Sequence, residues 1–332
     1  MSMRANAHRF YLVLFVYLAG CAPQFTAAHA DQHIASVRVA SVTEKSFISF
    51  DGTTLPLRQW LPAGKPEVIV IALHGFNDYS LFIDTAAHFF TDHGMAVYAY
   101  DQRGFGQSAN RGRWPGKDTL AHDARAFIKA VHRRYPHTPL FLLGHSMGAA
   151  VALLTLSTTP TNVDGVILAA PAISGWSTMP WWQRWGLTMA AYTMPWNTFT
   201  GESLHIVASD NRDMLIALGR DPLVIKKTRV DTIYGLVNLM DAAYRSADQL
   251  AIPALILYGD KDEVIPREPV METFAPLARA KGNIRFQRYK NGYHMLLRDL
   301  QANVVWRDII VWIHNRKAIL PSQQQDLSGS GQ

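Results

Sequence analysis

The 332-residue chain has a single cysteine, Cys21, so no disulfide can form within it and packing alone must hold the fold. Its most apolar N-terminal stretch, residues 10–18, is too short to cross a bilayer as a lasting helix. Charged residues make up 17% of the chain, and no basic run interleaves with aromatics. The formal net charge of +6 therefore reads as a mild preference for anionic surfaces, and nucleic acid is not an expected partner. Paired histidines and carboxylates at zinc-ligand spacing are missing. The one cluster that imitates a dinucleotide fingerprint, Gly104-Phe105-Gly106, lacks its third glycine, since Ala109 and Asn110 follow. Neither a metal nor a cofactor is implied. With 48% hydrophobic residues, what remains is an ordinary globular chain, read as one large catalytic domain with an insertion.

Arg4 and Arg9 precede the apolar stretch, which is the pattern of an export signal. The stretch runs into Leu18-Ala19-Gly20-Cys21, which resembles the bacterial lipoprotein box, where the cysteine is lipidated and becomes the first residue after cleavage. This reading expects a signal peptide over 1–20 and a lipidated N-terminus with a tether over 21–46. Its location is the bacterial cell envelope, membrane-anchored at the outer membrane and facing the periplasm. Cleavage of an ordinary secretory signal near Ala28-His29-Ala30 would instead discard Cys21 and leave a secreted or periplasmic protein.

Residues 47–60 read as two strands around Asp51-Gly52, a dipeptide that turns hairpins because both residues tolerate positive φ. Continuous apolar runs at 68–73, 95–100, 140–143, 166–170 and 254–258 suit strands buried on both faces. Between them Leu120, Ala124, Phe127, Ile128 and Val131 recur at helical spacing, and Val304, Val305, Ile309, Val311 and Trp312 mark a C-terminal helix. The alternation predicts an α/β fold with a mostly parallel central sheet and helices on both faces. Its core spans 47–171 and 251–318. Residues 172–250 are too long for a simple crossover and rich in Trp, Met and Pro, and are assigned to a cap inserted over the sheet's C-terminal edge. The polar residues 319–332 are expected to be disordered.

The run Gly144-His145-Ser146-Met147-Gly148 sets a serine between two glycines, after a buried strand and before a small-residue helix. That is the context of a nucleophile elbow, whose turn is too tight for bulk at either glycine and lifts the serine Oγ above the sheet. Ser146 is the candidate nucleophile. The strand at 68–73 ends in His74-Gly75-Phe76-Asn77-Asp78, and its loop supplies a second element: the backbone N–H groups of Phe76 and Met147 are the candidate oxyanion donors. His74, at a strand end, is read as bracing its loop.

A carboxylate must stand behind the base, and Asp260, Asp262 and Glu263 all follow the strand at 254–258. Spacing alone does not choose among them. A last strand over 284–289 precedes Asn291-Gly292-Tyr293-His294, and His294 lies where it can fold back toward Ser146 as the base.

With His74-Gly75-Phe76, the run Asp101-Gln102-Arg103-Gly104-Phe105-Gly106-Gln107-Ser108, the elbow, Asp221-Pro222-Leu223, Gly259-x-x-Asp262 and His294, the chain resembles the monoacylglycerol lipases and bacterial lysophospholipases of the α/β-hydrolase superfamily. The resemblance covers residues 47–314. It implies Asp262 as the acid, the third position after Gly259, and gives the Asp101 to Ser108 loop a shaping role without catalysis. It also implies hydrolysis of lipid esters, monoacylglycerol or lysophospholipid, through an acyl-enzyme on Ser146, with the rate falling as His294 protonates. Ten large apolar or aromatic residues between Trp176 and Phe199 suit an acyl tunnel, a surface resting on lipid or a self-packed cap core. The same constellation also serves acyl transfer or cofactor-free perhydrolysis. A non-catalytic lipid-binding lipoprotein and a peptidase complete the alternatives.

Overall fold

Unbroken apolar strands cannot leave a face to water, and this chain covers both faces of its sheet with helices. The computed structural model describes residues 22–26, 39–158, 161–201 and 206–323. Residues 1–20, Cys21 and the last nine residues of the expected tail lie outside these.

In chain order the strands are β1 (Ser41–Val42), β2 (Ser46–Ile48), β3 (Thr54–Trp60), β4 (Val68–Leu73), β5 (Met95–Tyr100), β6 (Leu140–His145), β7 (Gly165–Ala169), β8 (Thr198–Phe199), β9 (Thr228–Arg229), β10 (Ala254–Gly259) and β11 (Ile284–Tyr289). Nine of them form one sheet in the order β1-β2-β3-β5-β4-β6-β7-β10-β11, while β8 and β9 pair apart. From β5 to β11 every pairing in this sheet is parallel, and β1, β2 and β3 join antiparallel at one edge. The helices are α1 (Asp84–Thr91), α2 (Lys117–Arg134), α3 (Met147–Thr158), α4 (Trp181–Thr193), α5 (Arg212–Arg220), α6 (Val230–Ser246), α7 (Arg267–Ala280) and α8 (Ala302–His314).

Alternation along each strand divides the core in two. Ile69, Ile71 and Leu73 face α2, α3 and α6, and Val68, Val70 and Ala72 face α1 and α8. Register lines up the strand ends: Leu73 stands opposite Gly144, His145 opposite Ala169 and Gly259 opposite Tyr289. The loops after β4, β6, β7, β10 and β11 therefore emerge together at the carboxyl edge, where open α/β sheets place their sites.

Three boundaries differ from the sequence reading. The tether expected over 21–46 is partly structured. Thr26 N–H donates to the Trp114 carbonyl at 3.0 Å, and Ser41–Val42 pairs with β2 because Ala40 and Val42 reach the core. The tail expected from 319 stays packed to residue 323: Leu320 is fully buried, and Gln323 bonds Arg285 and Gln287 of the outermost strand at 2.7 and 3.0 Å. An edge strand with polar side chains offers partners that a polar tail can take. Finally, α6 lies within the inserted stretch, yet Leu239 and Ala243 bury against the same core as α3, so this helix is a layer of the main body.

Candidate active site

Ser146 follows β6 with φ of +52°, a left-handed backbone that costs a non-glycine residue strain. Its surroundings hold it there: Ser146 N–H donates to the Ala169 carbonyl at 2.9 Å, and its own carbonyl accepts from Ala149, Ala150 and Ala172. The flanking glycines are required by contact. A Cβ on Gly148 would stand 2.1 Å from the Leu73 carbonyl oxygen, and one on Gly144 2.5 Å from that of Gly148.

Met147 opens α3, so its N–H is one of the helix's first, unpaired donors. Among the described residues no protein acceptor takes the N–H of Met147 or that of Phe76. His74 braces the Phe76 loop, as the sequence reading expected: Gln102 N–H donates to its Nε2 at 3.0 Å, and its Nδ1 donates to the Gly75 carbonyl at 2.8 Å. Burial pushes the His74 pKa down, against the pull of Gly75, Asp78 and Asp101, which keeps the ring neutral in that tautomer.

The three acids after β10 have separate occupations. Asp260 holds Arg288 through two bonds of 2.8 Å, and Glu263 accepts from Val207 N–H at 2.8 Å. Asp262 accepts from His294 Nδ1 at 2.9 Å. Its other oxygen takes the N–H groups of Val264 and Ile265, and its side chain is shielded from solvent. With the proton on Nδ1, His294 keeps Nε2 as its free basic nitrogen.

His145 joins the two halves. It precedes Ser146 in the chain, its ring centroid lies 5.1 Å from that of His294, and its Nε2 donates to the His294 carbonyl at 3.0 Å. Burial, reinforced by His294 and Arg298, pushes the His145 pKa well below the ordinary histidine range. Ser146 Oγ and His294 share no hydrogen bond in this conformation.

Thus Ser146, Asp262, His294, Phe76 and Met147 gather at one edge of the sheet. Sequence reasoning did not identify His145, nor the ion pair of Arg298 with Asp78 at 2.5 Å, which ties the His294 loop to the Phe76 loop. Neither carries a local signal, since 220 residues separate Asp78 from Arg298.

The cap aromatics are mostly outside. Trp181, Trp182, Trp185, Met189, Trp196 and Phe199 are exposed, Trp181 at 72%, and α4 buries only Ala191. Trp176 is half-buried, its Nε1 donating to Asn238 Oδ1 at 2.7 Å. A self-packed cap core is not what these residues make.

A mostly parallel sheet with a strained serine between strand and helix, facing a histidine and carboxylate on later loops, defines the class: this is an α/β-hydrolase fold. Residues 64–301 match the family described as serine aminopeptidase, S33, and the chain belongs to it. The chain is similar to the monoglyceride lipase of Mus musculus, at 27% identity over 82% of this chain and 90% of that protein. It is also similar to the monoacylglycerol lipase of Mycolicibacterium smegmatis, at 25% identity over 82% and 96%. Among solved structures, a thermostable carboxyl esterase from Bacillus coagulans in complex with glycerol superposes with a TM-score of 0.69 at 25% identity, covering 82% of this chain and 98% of that one. The monoacylglycerol lipase of Paleococcus ferrophilus shares the fold with a TM-score of 0.65 at 22% identity, over 78% and 98%.

Proposed function

We propose that this protein hydrolyses carboxylic esters of lipids, monoacylglycerols or lysophospholipids, through an acyl-enzyme on Ser146. The observation that carries the reading is the 2.9 Å bond from His294 Nδ1 to Asp262, set beside a serine held at φ +52°. His294 Nε2 takes the Ser146 proton as Oγ attacks the ester carbonyl, and the oxyanion is received by the N–H groups of Phe76 and Met147. The imidazolium, steadied by Asp262, passes that proton to the departing alcohol. Water then repeats the sequence on the acyl-enzyme, releasing the fatty acid and returning the proton to Ser146. Formation of the serine–imidazole bond on substrate binding fits this scheme, because such bonds often tighten only in the complex.

The lipid preference rests on the cap. From Ala172 to Thr200 the chain has no acidic residue, so the exposed aromatic face offers no carboxylate to pair with a substrate's free amino terminus and a broad apolar surface to an acyl chain. This favours ester over aminopeptide substrates and agrees with the lipase names of the relatives. A lipid-anchored Cys21 in the cell envelope would hold the enzyme beside such substrates.

The test compares wild type with Ser146→Ala on monoacylglycerol, lysophospholipid and short p-nitrophenyl esters. Loss of all turnover in a folded variant, with wild type fastest on the long-chain lipids, is expected. Undiminished hydrolysis by the variant would refute the proposal.

A further inference from the structure

The loop that carries the Phe76 N–H is held from two sides. On its amino-terminal side the main body grips it: Gln102 N–H donates to His74 Nε2 at 3.0 Å and Gln102 Nε2 to the His74 carbonyl at 2.9 Å, while within the loop the Gly75 carbonyl accepts from His74 Nδ1 at 2.8 Å and from Asp78 N–H at 3.4 Å. On its carboxyl-terminal side the inserted segment adds its own grip to the Arg298–Asp78 pair. The Asn77 carbonyl accepts from Ile225 N–H at 2.9 Å, and Asn77 Nδ2 donates to Thr228 Oγ1 at 2.7 Å. Two residues on, Tyr79 OH donates to Asp221 Oδ2 at 2.7 Å, which gives the Asp221-Pro222-Leu223 segment a task.

Asn77 is an expensive residue for its position. Its φ is +63°, in the left-handed region, and its Oδ1 is buried without a partner among the described residues. Glycine would carry neither burden and would still present the carbonyl to Ile225. What the asparagine adds is the bond to Thr228. Thr228 is buried in β9, whose partner β8 contains the exposed Phe199, so the bond runs from the exposed β8–β9 arm of the inserted segment to the residue beside the Phe76 donor.

We infer that Asn77 is a positioning residue: through Thr228, the inserted segment fixes the peptide that presents the Phe76 N–H, so a correctly seated cap is a condition for stabilising the oxyanion. The inference rests on the acyl-enzyme reading above and deepens it. Substrate binding is not its concern; the transition state is.

Thr228→Val removes the hydroxyl at nearly constant volume, and Thr228→Ser retains it. On a dissolved short ester, Thr228→Val is expected to lower kcat about tenfold with KM within twofold, and Thr228→Ser to restore it. Affinity for an alkyl boronic acid, which becomes a tetrahedral anion on the serine, falls with kcat. Asn77→Gly should show the same kcat loss, and the double variant should be no worse than either single one. Should Thr228→Val fail to fold, Asn77→Gly decides alone. Wild-type kcat in Asn77→Gly, or a kcat loss with unchanged boronate affinity, overturns the inference. Ser146→Ala, run alongside, separates the two levels: an active Ser146→Ala removes the acyl-enzyme reading itself, whereas an inactive one with an unaffected Asn77→Gly removes only the role of Asn77.

Discussion

Two aspartates that share a loop have different partners, and those partners set what each substitution does. Asp262→Asn would present an amide to His294 and hold the imidazole in the wrong tautomer, so kcat is expected to fall by roughly 10⁴ while the melting temperature stays close to wild type. Asp260→Asn weakens a partly exposed pair with Arg288, and turnover should stay within about threefold. Steady-state kinetics of the two variants on one ester checks both; equal losses would mean that the acid has been misassigned. The residues alone did not separate these acids, because a carboxylate after a strand is chemically the same whether it meets an arginine or a histidine. Family resemblance pointed to Asp262 and the geometry supplies its partner. Ser146 was legible for the opposite reason: its constraint is local, written in the two glycines beside it. His145 has no such signature, since its partner is a carbonyl 149 positions away.

At the scale of elements, the buried strands were readable because a strand covered on both faces needs an unbroken apolar run, and β4, β5, β6, β7 and β10 each have one. Contacts between elements were not readable. The elbow pattern in the sequence forbids bulk at Gly148 without naming what the bulk would strike: this is where α3 meets β4, and the strand's backbone cannot retreat from an added methyl. Gly148→Ala is therefore expected to destabilise by about 3 kcal/mol or more in urea unfolding. Gly64→Ala, in open space, should be close to neutral. A second junction ties the β2–β3 hairpin to α2: Arg103 bonds Asp51 at 2.7 and 2.8 Å and Asp123 at 2.6 and 2.8 Å. Burial pushes Asp51 up, but the bonds and charge of Arg103 and the Thr53 N–H outweigh it and hold the pKa at about 2. A carboxylate with a lowered folded pKa contributes stability above its unfolded pKa and loses it as pH falls, here between about 4 and 2. Asp51→Asn should thus be less stable than wild type at neutral pH, by about 1 kcal/mol after solvent screening, with the gap closing toward pH 2. Urea unfolding of both proteins across that range checks it; a gap constant with pH would show that the Asp51 charge is not the source.

At the scale of the molecule, the feature that needs explaining is an aromatic surface facing solvent. No helix among the described residues is long and apolar enough to cross a membrane. The composition of the cap was plain in the sequence, but its orientation was not, because Trp and Met at helical spacing pack inward as readily as outward. The structure turns them outward, and it also places residues 22–26. Phe25 and Trp114 share a groove with Trp176, whose ring lies 5.2 Å from that of Tyr234; Tyr234 in turn is 6.0 Å from Tyr192 of α4. Phe25 and Thr26, the latter bonded to the Trp114 carbonyl, thereby lie at the foot of the same aromatic ladder that ends in the exposed helix. Under the proposed function, anchor and aromatic face would meet one lipid surface together, and each tryptophan withdrawn from water would add roughly 1.5–3 kcal/mol to the attachment. Replacing Trp181, Trp182 and Trp185 together by Ser should then lower turnover of monoacylglycerol in phospholipid vesicles, relative to turnover of a dissolved p-nitrophenyl ester, by at least about tenfold. Sedimentation with vesicles should show the matching loss of binding. A variant that keeps both the wild-type ratio and wild-type sedimentation would leave the aromatic face without a lipid role.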